Sequence, residues 1–177
     1  EIMTDPSYTS QIITFTFPHI RNVGINFQDI ESNQNSKISG AIFSNPITSP
    51  SNWRSEGNLN DWLIKNKIVG LYGIDTRDLT NHIRKNGFLN GIITNDPKGV
   101  EDKESILKDL SKWKGINGQD LAKIVSTKKI YIWKEKEISD LSQDIEQIDK
   151  HIVVIDYGVK SNILRCLSSR FNKITVV

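Results

Sequence analysis

Residues 151–177 read HIVVIDYGVKSNILRCLSSRFNKITVV, and this stretch decides the fold class. Residues 152–155 are a continuous apolar run, the pattern of a strand buried on both faces. Residues 174–177 begin another. Between them the polar residues 160–162 open a helix, with Ile163, Leu164 and Leu167 expected on its buried face. A strand, a helix and a strand in that order form a βαβ unit, so the class is α/β. The second run stops in mid-strand. The tail is therefore expected to be the truncated start of an α/β domain, and neither Glu1 nor Val177 is expected to be a natural terminus.

Immediately upstream, residues 134–150 (KEKEISDLSQDIEQIDK) are dense in charge and poor in apolar side chains, the composition of a solvated connector. The expected organisation is a first domain over residues 1–133, a charged linker over 134–150 and an incomplete second domain over 151–177. Within the first, residues 11–17 (QIITFTF) alternate so that Ile13, Phe15 and Phe17 share a side, a half-buried strand ended by Pro18. Leu59, Trp62 and Leu63 have helical spacing, and residues 68–74 (IVGLYGI) resume strand. Residues 75–87 (DTRDLTNHIRKNG) carry a helix with its punctuation. Asp75 or Thr76 can cap it, Arg84 and Lys85 suit its negative end, and Gly87 can take the left-handed stop, with Leu79 and Ile83 as the buried stripe. Residues 88–94 (FLNGIIT) are expected as strand. Ile106, Leu107, Leu110 and Trp113 mark a further amphipathic helix before GINGQDLAKIV.

Composition excludes several classes. The chain has 177 residues, 37% hydrophobic and 25% charged, as in soluble globular proteins, and no apolar stretch approaches the ~20 residues of a bilayer span. The 23 basic and 21 acidic residues are interspersed to a net charge of +2, which leaves no field to gather nucleic acid. A single cysteine, Cys166, permits no internal disulfide and no Cys-rich zinc cluster. No signal segment follows Glu1.

Candidate chemistry is sparse. Cys166 lies inside the expected helix between Arg165 and Leu167 with no glycine near, unlike a nucleophile at a strand-to-helix elbow, and reads as a packed structural thiol. His19, His82 and His151 lack the spacing of a zinc site and read as structural or surface residues. The tail VVIDYGVKSN has a glycine after a strand but no G-x-G-x-x-G. Asp156 could accept phosphate in a receiver-type fold, but the acidic pair needed for magnesium is missing, Asp149 alone being near. Two polar loops remain. TDPSYTS (residues 4–10) is a proline-fixed turn in which Asp5 can cap and Ser7 presents a hydroxyl beside Tyr8. GIDTRDLT (residues 73–80) is a capped helix start carrying Arg77. Physics alone leaves both as simple turns or caps.

Taken together, EIMTDPSYTSQIITFTFPHIRNVGIN, SNWR, GIDTRDLTNHIRKNGFLNGIIT, GINGQDLAKIVS and VVIDYGVKSNILRCL resemble, in order and spacing, the small (glutaminase) chain of glutamine-hydrolysing carbamoyl phosphate synthetase. The resemblance covers nearly the whole sequence. Arg21 departs from it, standing where the family commonly has glycine, and Cys166 occupies an ordinary apolar helix position. The resemblance implies an N-terminal β/β/α domain followed by the start of a class I glutamine amidotransferase α/β domain. It implies a cytoplasmic ligase component that hydrolyses L-glutamine by a Cys-His-Glu triad and passes ammonia to a large chain. That large chain would use ATP, Mg2+ and bicarbonate to make carbamoyl phosphate for arginine and pyrimidine synthesis. None of the triad positions falls within residues 1–177, so no catalytic residue, metal site or cofactor is expected in this chain, and the piece is expected to be inactive alone. One functional position carries over: Ser7, the serine of DPSY, which by resemblance contacts bound L-glutamine. The expected partners are the large subunit and L-glutamine, with neither nucleic acid nor membrane. The competing reading is a non-catalytic docking module for a larger partner.

Overall fold

Strand pairing in this protein is decided by which neighbour has backbone groups to offer. The computed structural model describes residues 1–17, 20, 22–32, 38–94, 102–133 and 148–177, the side chains of residues 148 and 149 excepted. These form two compact units, one from Glu1–Thr9, Asp29–Lys37 and Asp120–Val177, the other from Ser10–Gln28 and Ile38–Gln119. The class is α/β, as the sequence implies.

The unit containing Ser10–Gln28 and Ile38–Gln119 is built on a parallel sheet in the order β1 (Ile12–Phe15), β2 (Gly40–Phe43), β3 (Val69–Leu71). Helix α1 (Leu59–Lys65) lies in the connection from β2 to β3, since parallel neighbours cannot be joined by a tight hairpin. Asn58 caps it by accepting from the Asn60 amide at 2.7 Å, and Leu59 and Leu63, four residues apart, are its buried side chains. They join Ile38, Ala41, Phe43 and Ile68 among the buried residues. Phe15 and Phe43, opposite each other in the ladder, stack with ring centroids 5.4 Å apart. Helix α2 (Thr76–Asn86) begins at Asp75, whose carboxylate accepts from the Asp78 amide at 2.9 Å. It ends with Arg84 and Lys85 in the last turn and Gly87 at φ +81°, a backbone region that costs other residues more. Leu79 and Ile83 are half-buried.

Several elements are shorter than their apolar patterns. The strand expected over residues 11–17 stops at Phe15, because β2 offers no ladder partner beyond Phe43, and Phe17 is 65% exposed. Pro18 lies outside the described residues. The strand expected over 68–74 likewise narrows to Val69–Leu71, paired only with Gly40, Ala41 and Ile42. Residues 88–94 are not a strand. Phe88, Leu89 and Ile92 are exposed, and Asn90 donates its side-chain amide to the Trp113 carbonyl at 3.1 Å. An apolar run without a neighbouring edge to pair with gains nothing from extension into a sheet. Helix α3 (Lys103–Lys112) half-buries Ile106 and Leu110, while Leu107 and Trp113 of its expected face are exposed.

The other unit holds α4 (Leu121–Val125) and a mixed sheet in the order β4 (Tyr131–Ile132), β6 (Phe171–Val176), β5 (Ile148–Val154). β5 and β6 are parallel and joined through α5 (Ser161–Ser168), the expected βαβ unit, and β4 runs antiparallel to β6. Leu164, Ile174 and Val176 are fully buried, with Tyr131, Trp133, Ile152, Val154, Val159 and Leu167 packed against them. Burial of the first strand on both faces does not hold. Ile152 and Val154 turn inward, but Val153 and Ile155 are exposed, because α5 covers one side of the sheet only. Ile163 is also exposed. It sits about 100° around the helix from Leu164, whereas Leu167 lies nearly above it. Cys166, roughly 200° from Leu164, is a free and exposed thiol rather than a packed one. Of the expected linker, residues 134–147 lie outside the described residues and the remaining three begin β5. No helix among the described residues is long and apolar enough to cross a membrane.

Candidate functional site

The polar centre of the second unit is Asp5. It precedes a short 3-10 turn, Pro6–Tyr8, in which proline sits at the first position, where an amide would have no partner in any case. One Asp5 carboxylate oxygen accepts from the Ser7 amide at 2.9 Å, and the other meets Lys160 Nζ at 2.6 Å. The Ser7 hydroxyl hydrogen-bonds the same carboxylate. Asp5 is only 4% exposed. Burial pushes its carboxyl up, but the hydrogen bonds from Lys160 and from the Ser7 amide and hydroxyl, with the lysine charge, outweigh it and hold the pKa below the ordinary 3.8. Lys160 is held above its ordinary 10.5 by the bond to Asp5 and by that carboxylate's charge. Ser7 itself is exposed.

Lys160 is also the residue at which α5 begins, and it gives the helix no side-chain cap. Glu31 supplies one from elsewhere in the chain. Its carbonyl accepts from the Ser161 amide at 2.8 Å and its carboxylate from the Asn162 amide at 3.0 Å, placing a negative charge at the positive helix end. The Glu31 amide in turn donates to the Thr4 hydroxyl at 3.0 Å, and that hydroxyl donates to the Glu1 carbonyl at 2.9 Å.

Asp156 follows β5 and is 4% exposed. One of its oxygens accepts from the amides of Gly158 at 2.7 Å and Val159 at 2.8 Å, the other from the Thr127 amide at 3.0 Å. Gly158 sits at φ +96°, where a Cβ would come within 2.8 Å of a Val125 methyl and 3.0 Å of Pro6. A cavity of about 250 Å³ opens here, lined by Pro6, Glu31, Tyr131, Trp133 and Asp156 among others. Burial, and then the Asp156 charge, raises the Tyr131 phenol above its ordinary 10.0. The Trp133 indole nitrogen and the Thr9 hydroxyl are buried without a hydrogen-bond partner among the described residues.

The sequence candidates are thus sorted. Asp5 and Ser7 stand together. Asp156 is a structural acceptor whose oxygens are committed to backbone amides, and the Asp149 side chain is outside the described residues. No group of His, Cys, Asp and Glu among the described residues could hold a metal ion. His82 lies 3.3 Å from the Asn86 amide and His151 2.8 Å from the Thr175 hydroxyl, both exposed, while His19 and Arg21 fall outside the described residues. Arg77 is exposed on the first turn of α2. The sequence reading missed Lys160 and Glu31. A buried acid such as Asp5 requires a cation, but nothing local selects one among 23 basic residues.

Fold and site define an α/β protein whose first residues, in a proline-fixed turn, are tied by charge to the start of a βαβ unit. The family model for the carbamoyl-phosphate synthase small chain, CPSase domain, matches residues 1–93, and the chain belongs to this family. The carbamoyl phosphate synthase small chain of Bartonella henselae is 48% identical over an alignment spanning 100% of this chain and 46% of its own length. Those of Rhizobium meliloti and Zymomonas mobilis are each 45% identical over 100% of this chain, and 46% and 48% of their own lengths. The chain therefore spans about half the length of the curated relatives it matches.

Proposed function

We propose that this chain acts in the small subunit of a glutamine-hydrolysing carbamoyl phosphate synthase, a cytoplasmic ligase serving arginine and pyrimidine synthesis. The small subunit hydrolyses L-glutamine and passes ammonia to a large subunit, which uses ATP, Mg2+ and bicarbonate. The observation that carries this reading is the 48% identity to a protein of that name across the whole chain. Residues 1–133 are the small chain's β/β/α domain, 134–150 its charged connector and 151–177 the start of the amidotransferase domain. The βαβ order of β5, α5 and β6 supports that start.

In this reading the hydrolytic Cys-His-Glu triad lies outside residues 1–177, and Cys166, in the body of α5 rather than at a strand-to-helix elbow, has no part in it. Ser7 contacts the substrate L-glutamine. Its exposed position on a turn fixed by Pro6 and Asp5 supports the assignment, because a hydroxyl held still loses less entropy when it binds. The test is Ser7→Ala in the intact small chain assembled with its large subunit. The KM for glutamine is expected to rise while synthesis from free ammonia is retained. Equal loss with both nitrogen sources would refute the contact.

A further inference from the structure

We infer that Ser7 accepts, rather than donates, the hydrogen bond to its ligand, and that the donor is the α-ammonium of the amino-acid substrate. The inference rests on the reading that Ser7 contacts glutamine, and deepens it by naming the group contacted.

A serine hydroxyl has one proton and two lone pairs, whereas an ionised carboxylate can only accept. Hydrogen-bonded to the Asp5 carboxylate, the Ser7 hydroxyl is therefore the donor, and its proton is spent. Asp5 cannot swing away to release it. The carboxylate is 4% exposed, accepts the Ser7 amide at 2.9 Å and is gripped by Lys160 at 2.6 Å on its other oxygen. A lysine ammonium has no lone pair, so it cannot exchange roles with the serine. The depressed carboxyl pKa agrees with a permanently ionised Asp5. What Ser7 keeps for a ligand is acceptor capacity alone.

Glutamine's α-carboxylate and side-chain carbonyl only accept, so neither can bond to such an oxygen. Its α-ammonium only donates. The side-chain amide nitrogen also donates, but it is the leaving group of hydrolysis and belongs with the nucleophile. Because Asp5 and Lys160 cancel in formal charge, hydrogen-bond polarity rather than net charge makes the selection. Asp5 is then a positioning residue, acting on the ligand only through Ser7.

The experiment compares wild type and Ser7→Ala in the intact enzyme, with glutamine as substrate and two competitive probes. Glutaramate lacks the α-amino group, and L-glutaminamide keeps it but has no α-carboxylate. Ser7→Ala is expected to raise the glutamine KM and the glutaminamide inhibition constant by about tenfold, the loss of one charge-assisted hydrogen bond. The glutaramate constant should stay within about twofold. If glutaramate weakens as much as glutamine, the α-ammonium assignment is overturned while the glutamine contact survives. If none of the three constants moves, the contact itself falls and the inference with it. Asp5→Asn, which can turn an amide donor toward Ser7 and free its proton, should raise the glutamine KM and leave both kcat and ammonia-dependent synthesis near wild type. An unchanged KM in that variant would also overturn the inference.

Discussion

Replacing Asp156 probes the most heavily bonded side chain of the described residues at graded severity. Its carboxylate takes two amides on one oxygen and one on the other, all within 3.0 Å, at 4% exposure. A hydrogen bond to a charged group contributes ~1.5–3 kcal/mol net, and an orphaned buried amide costs a comparable amount. Asp156→Ala strands three amides at once. Allowing for partial relaxation and access of water, the expected loss is about 3–5 kcal/mol. Asp156→Asn keeps an oxygen for Gly158 and Val159, now neutral, but sets an NH2 group against the Thr127 amide, two donors face to face. Its expected loss is about 2 kcal/mol. Urea unfolding of the purified protein, followed by tryptophan fluorescence and far-UV circular dichroism, measures both. Trp133, packed on the nearby core, is a local reporter. The reasoning fails if alanine and asparagine cost the same, or if alanine costs less than about 1 kcal/mol, since the carboxylate would then not be satisfying those amides.

Other outcomes follow from the same structure. Leu164→Ala, at 1% exposure between the helix and sheet of the βαβ unit, should lose about 2–5 kcal/mol in urea unfolding with an unchanged m-value. Gly158→Ala combines φ +96° with a 2.8 Å clash on Val125, so a clearly lowered Tm is expected, of the order of a 1–3 kcal/mol loss. The Asp5 and Lys160 contributions carry opposite pH signs. The depressed acid stabilises above its unfolded 3.8 and loses that effect as pH falls through its folded pKa, and the raised lysine stabilises below 10.5 and loses it as pH rises through its own. The Tm difference between wild type and Asp5→Ala should therefore be widest between those limits and shrink beyond both. The effect should be modest, because the lysine side chain is 42% exposed. Tyr131 should ionise above 10.0 in an ultraviolet titration, as shown by the difference from Tyr131→Phe.

Local signals were legible where they required no distant partner. The cap at Asp75, the positive-φ stop at Gly87, the buried pair Leu59 and Leu63 and the β5–α5–β6 order all follow from neighbours within a few residues. Strand lengths were not, because the ladder of β1 and β3 ends where β2 ends, and residues 88–94 carry the right apolar side chains without an edge to join. The same limit applies to the site. Asp5 and Ser7 could be picked out as a cap and a presented hydroxyl, yet the lysine that neutralises the acid lies on the far side of the sequence. The glutamate capping α5 is 131 residues from the amide it serves. The outward turn of Cys166 and Ile163 could be had only by fixing Leu164 as the centre of the buried stripe.

The closure of Glu1–Thr9 and Asp29–Lys37 onto Asp120–Val177 has a consequence for synthesis on the ribosome. The earliest residues to leave the exit tunnel are among the last to find their partners, and at ~5–20 residues per second they wait roughly ten seconds for α4 and the βαβ unit to emerge. During that interval the DPSY turn has no Lys160 to hold Asp5 and α5 does not yet exist for Glu31 to cap, so the nascent N-terminus is a substrate for chaperones or proteases until the later segment arrives.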